Sequence, residues 1–193
     1  MSAIEHSPGL YIRDIHAPLA LADYKLIAFD MDSTLINIEC VDEIAAAAGR
    51  RDEVAEITEM AMRGELADYK ESLRRRVALL AGVPVSALQK VWDDKLRFNP
   101  GVQTFVAACQ RAGLKTLLIS GGFTFFSERV RHALKLDFAR ANTLGVHNNR
   151  LTGTLLQRSW GDICDGAEKH RVLLDVCELM GIEPAQAIAV GDG

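Results

Sequence analysis

No apolar run in the sequence approaches the ~20 residues needed to cross a bilayer. The first 23 residues, broken by Pro8, Gly9 and Pro18, lack the pattern of a cleaved leader. The expectation is therefore a cytoplasmic protein with no membrane role. An excess of positive charge is also missing: 22 Lys and Arg against 26 Asp and Glu leave a net charge of −4. That gives no electrostatic footprint for nucleic acid, and a phosphorylated small molecule would have to be attracted locally, by a metal and a few cations. Cys40, Cys109, Cys164 and Cys177 form no C-x-x-C and no zinc-like spacing with histidine, so buried free thiols are expected. His6, His16, His132, His147 and His170 contain no H-x-x-x-H pair. The G-x-S-x-G of a serine-hydrolase nucleophile is absent too, since Leu118 stands where its first glycine belongs. Repeats and low-complexity segments are not seen. These exclusions leave a 193-residue chain, 49% hydrophobic and 25% charged, sized for one domain or one domain with an insert.

What is present is organised around Lys25-Leu26-Ile27-Ala28-Phe29-Asp30-Met31-Asp32-Ser33-Thr34. Leu26 to Phe29 reads as a buried parallel strand that ends in two aspartates. Period-2 geometry sends Asp30 and Asp32 toward the same side. Two carboxylates held close need a cation or a shared proton. The carboxyl end of such a strand is where open α/β sheets bind ligands. A bare D-x-D is equally an acidic turn, so the later stretches decide.

Residues 1–23 form an N-terminal arm in which Tyr11-Ile12-Arg13 is either an edge strand or chain packed outside the core. From Ile36 to Phe98 the pattern is wholly helical. Val41, Ile44, Ala45 and Ala48 share a face closed by Gly49; Val54, Ile57, Ala61 and Met62 share another, stopped by Gly64. Asp68 with Glu71 reads as a capping box for a third helix running to Gly82. Leu88, Val91, Trp92 and Leu96 outline a fourth, closed by Asn99-Pro100-Gly101. This insert, 36–98, breaks the βαβ rhythm and reads as a separate helical cap. The rhythm resumes with a helix over 102–111, a strand over 115–119 ending in Ser120-Gly121-Gly122, and a helix marked by Phe123, Phe126, Val130 and Leu134. Residues 138–156 are extended, with a hairpin turn at His147-Asn148-Asn149-Arg150. A helix over 166–180 and a strand over 187–190 lead to Gly191-Asp192-Gly193. Strands alternating with helices predict an α/β fold, a Rossmann-like parallel sheet sandwiched by helices, built from 24–35 and 99–193.

Four later features carry chemistry. Ser120-Gly121-Gly122, between a strand and a helix, offers a hydroxyl and backbone N–H groups as a phosphate cradle, although alone it is a glycine turn. Lys169 falls on the apolar face of its helix with Leu173, Val176 and Met180, so it either snorkels outward or meets an internal anion. Arg76, unlike Arg74 and Arg75, aligns with Tyr69, Leu73 and Leu80; it suits either a substrate carboxylate or an ion pair within the cap. Asp192 adds a carboxylate at a second strand end, and Mg2+ holding waters needs one or two such oxygens plus phosphate.

Taken together, D-x-D-S-T, the serine after the second strand, the lysine at a helix start and the late Gly-Asp resemble, in order, the four motifs of haloacid dehalogenase-type phosphohydrolases. The chain is more closely similar to phosphoserine phosphatases over about residues 25–193. That similarity is carried by Asp30–Ile36, Glu39–Ala45, Ile57-Thr58, Ala61–Gly64, Ser72–Val77 and Ser120–Phe123. The resemblance implies Mg2+-dependent conversion of L-phosphoserine to L-serine and phosphate through an aspartyl phosphate, the last step of serine biosynthesis. It makes Asp30 the nucleophile, Asp32 the general acid and base, Glu39 the partner of the substrate amino group and Arg76 that of its carboxylate. Ser120, Gly121 and Lys169 would hold phosphate, and Asp30, Asp32 and Asp192 the metal. Ala67-Asp68-Tyr69 is one residue longer than the family spacing, which keeps the choice among the three arginines open.

The alternatives are a sister phosphatase or phosphotransferase acting on another small phosphorylated substrate, a phospho-accepting receiver domain, and a truncated inactive fragment. The last is considered because the family continues with Ala-Asn-Asp after Gly-Asp-Gly. On that expectation the 193-residue chain binds Mg2+ weakly and turns over slowly. Its apolar 187–190 edge then invites association into a homodimer.

Overall fold

The computed structural model describes residues 4–8, 10–13, 20–157, 161 and 163–192. Gly193 and residues 14–19 of the arm lie outside the described residues, with Pro18 and His16 among them. Near the start, β1 (Ile4–Ser7) and β2 (Leu10–Ile12) pair antiparallel with each other. This hairpin is separate from the main sheet, so Tyr11 and Ile12 add no edge strand to it.

The main sheet has four parallel strands in the order β5-β4-β3-β8: β3 (Leu26–Phe29), β4 (Lys115–Phe123), β5 (Phe138–Asn142) and β8 (Ala187–Val190). Helices cover both faces, which explains why β3 is an unbroken apolar run. Ile27 and Phe29 join one core cluster with Val106 and Cys109 of α5 (Val102–Arg111) and Phe126 and Val130 of α6 (Thr124–Leu134). Leu26 and Ala28 join the other with Val172 and Cys177 of α7 (Gly166–Met180). Each buried aliphatic or aromatic side chain of this kind contributes roughly 1.5–3 kcal/mol. All four cysteines are buried and free. No described helix is long and apolar enough to cross a membrane.

Between β3 and α5 lie α1 (Cys40–Ala47), α2 (Arg51–Met62), α3 (Tyr69–Ala78), α4 (Val85–Lys90) and a π-helical turn at Val91–Lys95. Three details differ from the sequence pattern. Of the α2 stripe only Val54 is buried, and Met62 is 84% exposed, because the stripe runs past the elements that cover its first turns. α3 ends at Ala78, four residues before Gly82, where the chain bends to meet the hairpin β6 (Leu144–His147) and β7 (Arg150–Leu155). The Gly82 N–H donates to the Leu151 carbonyl (2.8 Å) and the Leu151 N–H to Val83 (2.8 Å). Finally, Asp68 caps α3 through the Glu71 N–H, but the Glu71 carboxylate returns to the N–H of Ala67 rather than that of Asp68. Asn148 and Asn149 both adopt left-handed φ, at 47° and 57°, as a two-residue hairpin turn demands.

A fourth difference bears on the site. β4 does not stop at Ile119 but runs through Ser120-Gly121-Gly122 to Phe123, and its register with β5 shifts between Ile119 and Phe123. The glycines thus lie near the end of a strand, and α6 begins directly after its last residue, Phe123.

Candidate active site

Asp30 is the first residue beyond β3. Its N–H donates to the Val190 carbonyl (2.9 Å), continuing the pairing with β8. Its Oδ1 accepts from the Met31 N–H (2.7 Å), and Oδ2 is paired with the Lys169 ammonium. The chain then turns sharply. Ser33 takes a left-handed φ of 55°, and the Leu35 N–H returns to the Met31 carbonyl. Asn99 clamps this turn, its Nδ2 lying 2.9–3.3 Å from the carbonyls of Ser33, Thr34 and Ile36.

Asp32 faces the same cleft as Asp30. Part of its surface stays open to the cleft, yet loss of surrounding water pushes its pKa from 3.8 up to about 7, with Glu39 and Asp30 adding repulsion. The shift is opposed by Cys40 at the start of α1, whose thiol donates to Oδ1 (3.0 Å) and whose N–H donates to Oδ2 (3.4 Å). The carboxylate is therefore held by the first residue of α1, the first helix of the insert.

The end of β4 forms the floor. Ser120 is fully buried and its Oγ accepts from the Gly122 N–H (2.8 Å). Gly121 is pressed between two groups: an added Cβ would stand 2.2 Å from the Tyr69 hydroxyl and 3.3 Å from the Cys164 carbonyl. Only glycine fits there with Tyr69 in place. Opposite, Lys169 sits in the first turn of α7, whose N-cap Asp165 accepts from the Glu168 N–H (2.8 Å). Its helix-face neighbours Leu173 and Val176 pack on the second core cluster, so the lysine is directed inward and meets Asp30.

The same turn of α7 is anchored by Glu168, only 8% exposed, which accepts from Arg140 of β5 (3.0 Å) and Arg171 (2.7 Å). Its pKa is lowered from 4.5, chiefly by the Arg171 hydrogen bond and then by Arg140. Removing one partner of a buried pair costs about 3–5 kcal/mol, so Glu168→Gln is expected to lower unfolding free energy by roughly 3 kcal/mol in urea denaturation at neutral pH. The folded pKa is depressed. The wild-type contribution is therefore complete above pH 4.5 and is lost as pH falls through the depressed value, where the variant and wild type should converge. An unchanged difference in acid would contradict this assignment.

The roof comes from the insert. Glu39 precedes α1 and accepts from the Ser33 hydroxyl (2.6 Å); partial desolvation raises its pKa. Of the three consecutive arginines only Arg76 lines the cleft. Arg74 and Arg75 are exposed, and Arg75 pairs with Glu71 along the helix. The Arg76 Nε and the Asp42 Oδ1 are both buried without a hydrogen-bond partner, and the Arg76 charge partly offsets the desolvation of Asp42 and Glu39. Asp192 closes the near wall, accepting from the Thr34 hydroxyl (3.1 Å). The cavity so enclosed is about 360 Å3 and brings together Asp30, Asp32, Glu39, Arg76, Ser120, Gly121, Lys169 and Asp192.

Among the described residues no three His, Cys, Asp or Glu side chains converge as a ready-made metal cluster. Asp30 and Asp192 stand at the ends of adjacent strands and are hard oxygen donors. Such a pair suits Mg2+, which keeps several waters and takes one or two carboxylates plus a substrate phosphate. Asp32, the third carboxylate expected at the metal, faces the same cleft with Cys40 on its oxygens. Four residues of the site escaped the sequence pattern. Asn99 reads only as part of a closing turn and Cys40 only as a buried thiol. Tyr69 reads as one point on a helix stripe. Asn142 reads as a polar residue in an extended run.

A model of the haloacid dehalogenase-like hydrolases matches residues 24–193. A phosphoserine phosphatase of Albidiferax ferrireducens is 60% identical over 187 residues, covering 97% of this chain and 79% of that protein. One from a Polaromonas species is 59% identical over 193 residues, covering 100% and 82%. Among solved structures, a phospho-aspartyl intermediate analogue of phosphoserine phosphatase superposes with a TM-score of 0.79 at 36% identity, covering 88% of this chain and 78% of that one.

Proposed function

The chain belongs to the haloacid dehalogenase-like hydrolases, and from that premise we propose that it hydrolyses L-phosphoserine to L-serine and phosphate through a phosphorylated Asp30. One observation carries the reading. A single cleft places the Asp30–Lys169 pair and the end of β4 on its floor, and an acid, Glu39, with a base, Arg76, on its roof. A phosphorylated amino acid has matching charges at matching ends. We take residues 36–98, which supply the roof, as a cap on the α/β core.

In this mechanism Lys169, the Ser120 hydroxyl and the N–H groups at the end of β4 hold the phosphate oxygens. Asp30 Oδ attacks phosphorus in line, and the bond from phosphorus to the serine oxygen breaks. Asp32, protonated at that moment, gives its proton to the departing alkoxide. Water then attacks the aspartyl phosphate, Asp32 takes the water proton, and phosphate leaves with Asp30 restored. Asp30 and Asp192 would hold Mg2+, which when bound offsets the negative charge that a carboxylate meets on approaching a phosphate. Asp32 is assigned to proton transfer, and its Cys40 contacts hold its orientation. Glu39 would bind the amino group and Arg76 the carboxylate.

The test is phosphate release from L-phosphoserine by the purified protein, with Mg2+ and with a chelator. A phosphomonoester lacking amino and carboxylate groups is run in parallel. Release that requires Mg2+ and favours phosphoserine is expected. Preference for the simpler ester would make the chain a sister phosphatase, and absence of release from either would end the proposal.

A further inference from the structure

We propose that Asn142 is a positioning residue that holds the two phosphate-binding segments of the cleft in register. It rests on the phosphatase reading above. Asn142 ends β5 and is 5% exposed. Its Nδ2 donates to the Gly121 carbonyl (2.8 Å), and its Oδ1 accepts from the Cys164 N–H (2.9 Å). The two partners differ in kind, so one orientation of the amide satisfies both.

Each bond controls a different part of the cradle. The Gly121 carbonyl shares a rigid peptide plane with the Gly122 N–H, which points oppositely and reaches the Ser120 hydroxyl. Fixing that carbonyl therefore fixes the N–H and, through it, the hydroxyl. Here the ladder between β4 and β5 loses register, so a side chain takes over what strand pairing does elsewhere. Cys164 lies one residue before Asp165, the N-cap of the helix that presents Lys169 to Asp30. Two residues earlier on the same strand, Arg140 holds Glu168, the immediate neighbour of Lys169. The end of β5 is thus a template against which the Ser120 segment and the Lys169 helix are both set. A phosphate held from both sides is sensitive to their separation at the scale of fractions of an ångström.

The side-chain chemistry is restrictive. Aspartate would accept from Cys164 but present a second acceptor to the Gly121 carbonyl. Leucine would satisfy neither group, leaving a buried N–H and a buried carbonyl that must move to find partners. Both Asn142 bonds go to floor segments, so the contacts of Glu39 and Arg76 should change far less than those of the phosphate cradle.

The experiment titrates inorganic phosphate and, separately, L-serine into the protein with Mg2+ by calorimetry, for wild type, Asn142→Leu and Asn142→Asp. Both variants are expected to bind phosphate at least ~10-fold more weakly, the scale of one lost buried hydrogen bond, while serine affinity stays within ~2-fold. Should Asn142→Leu not fold, Asn142→Asp carries the comparison, since it keeps the volume and the Cys164 bond. Unchanged phosphate affinity, equal weakening of both ligands, or loss of fold in both variants would each overturn the proposal. A wild-type protein that binds neither ligand would overturn the phosphatase reading itself. A wild type that binds both, beside unaltered variants, removes only the role of Asn142.

Discussion

Asp30→Asn is expected to remove turnover and phosphoenzyme formation together, by ~10⁴-fold or more, the scale of losing a covalent nucleophile. The substitution keeps the side-chain volume and can keep the bond from the Met31 N–H, so the strand end should stay in place. What it removes is the negative oxygen that faces Lys169 and, in the proposal, phosphorus. An amide oxygen is a poor nucleophile and offers a metal less charge. Lys169 would lose its carboxylate partner, yet both side chains retain some exposure, 32% for Lys169 and 19% for Asp30, so the fold should survive. L-Serine binding at the roof should be preserved. Asp32→Asn should behave differently, slowing formation and breakdown of the phosphoenzyme by ~10²–10⁴-fold without abolishing either, because it removes only proton transfer. Quench-flow with labelled phosphoserine separates the two. Wild-type turnover by Asp30→Asn, with deamidation excluded by mass spectrometry, would leave no place for this mechanism.

Arg76→Ala is expected to weaken kcat/KM for phosphoserine by ~2–5 kcal/mol, the cost of leaving a buried anion unpaired. A phosphomonoester without a carboxylate should lose far less. The contrast arises because Arg76 projects from α3 into the cleft with its Nε unpartnered, whereas Arg75 pairs with Glu71 on the outer face of that helix. Arg74→Ala and Arg75→Ala should accordingly change neither substrate by more than ~1 kcal/mol, as is usual for exposed charges. Arg76→Lys should recover only part of the loss, since an ammonium cannot make the two parallel bonds of a guanidinium. Equal losses on both substrates would reassign Arg76 to holding Asp42 and Glu39 in the roof.

Much of the chain could be read locally, and the reason is physical. The α7 boundaries follow from a capping aspartate at one end and the left-handed Gly181 at the other, both set by neighbouring residues. The hairpin turn follows from two asparagines that tolerate positive φ. Burial on both faces wrote β3 as four consecutive apolar residues, and the two aspartates after it mark a ligand-binding strand end. The helix face set Arg76 apart from Arg74 and Arg75, because 3.6-residue periodicity is a local property, while the extra residue at Ala67-Asp68-Tyr69 kept the choice among them open.

Other features depend on partners distant in sequence, and no local pattern contains them. β4 runs on through Ser120-Gly121-Gly122 because β5 lies beside it and the Asn142 amide donates to the Gly121 carbonyl. α3 stops at Ala78 because the chain that follows bonds to the hairpin, the Gly82 N–H donating to the Leu151 carbonyl and the Leu151 N–H to the Val83 carbonyl. Asp32 acquires its raised pKa only in the folded chain, where burial strips water from it and Glu39 and Asp30 add repulsion. By itself the sequence determined most of the helices and the strands that carry the site, to within a few residues of their ends, and which charged groups stand at strand ends. Only the tertiary structure decided which of those groups share a cleft, since hydrogen bonds and desolvation act through space between residues more than a hundred positions apart, as Asp30 and Lys169 are.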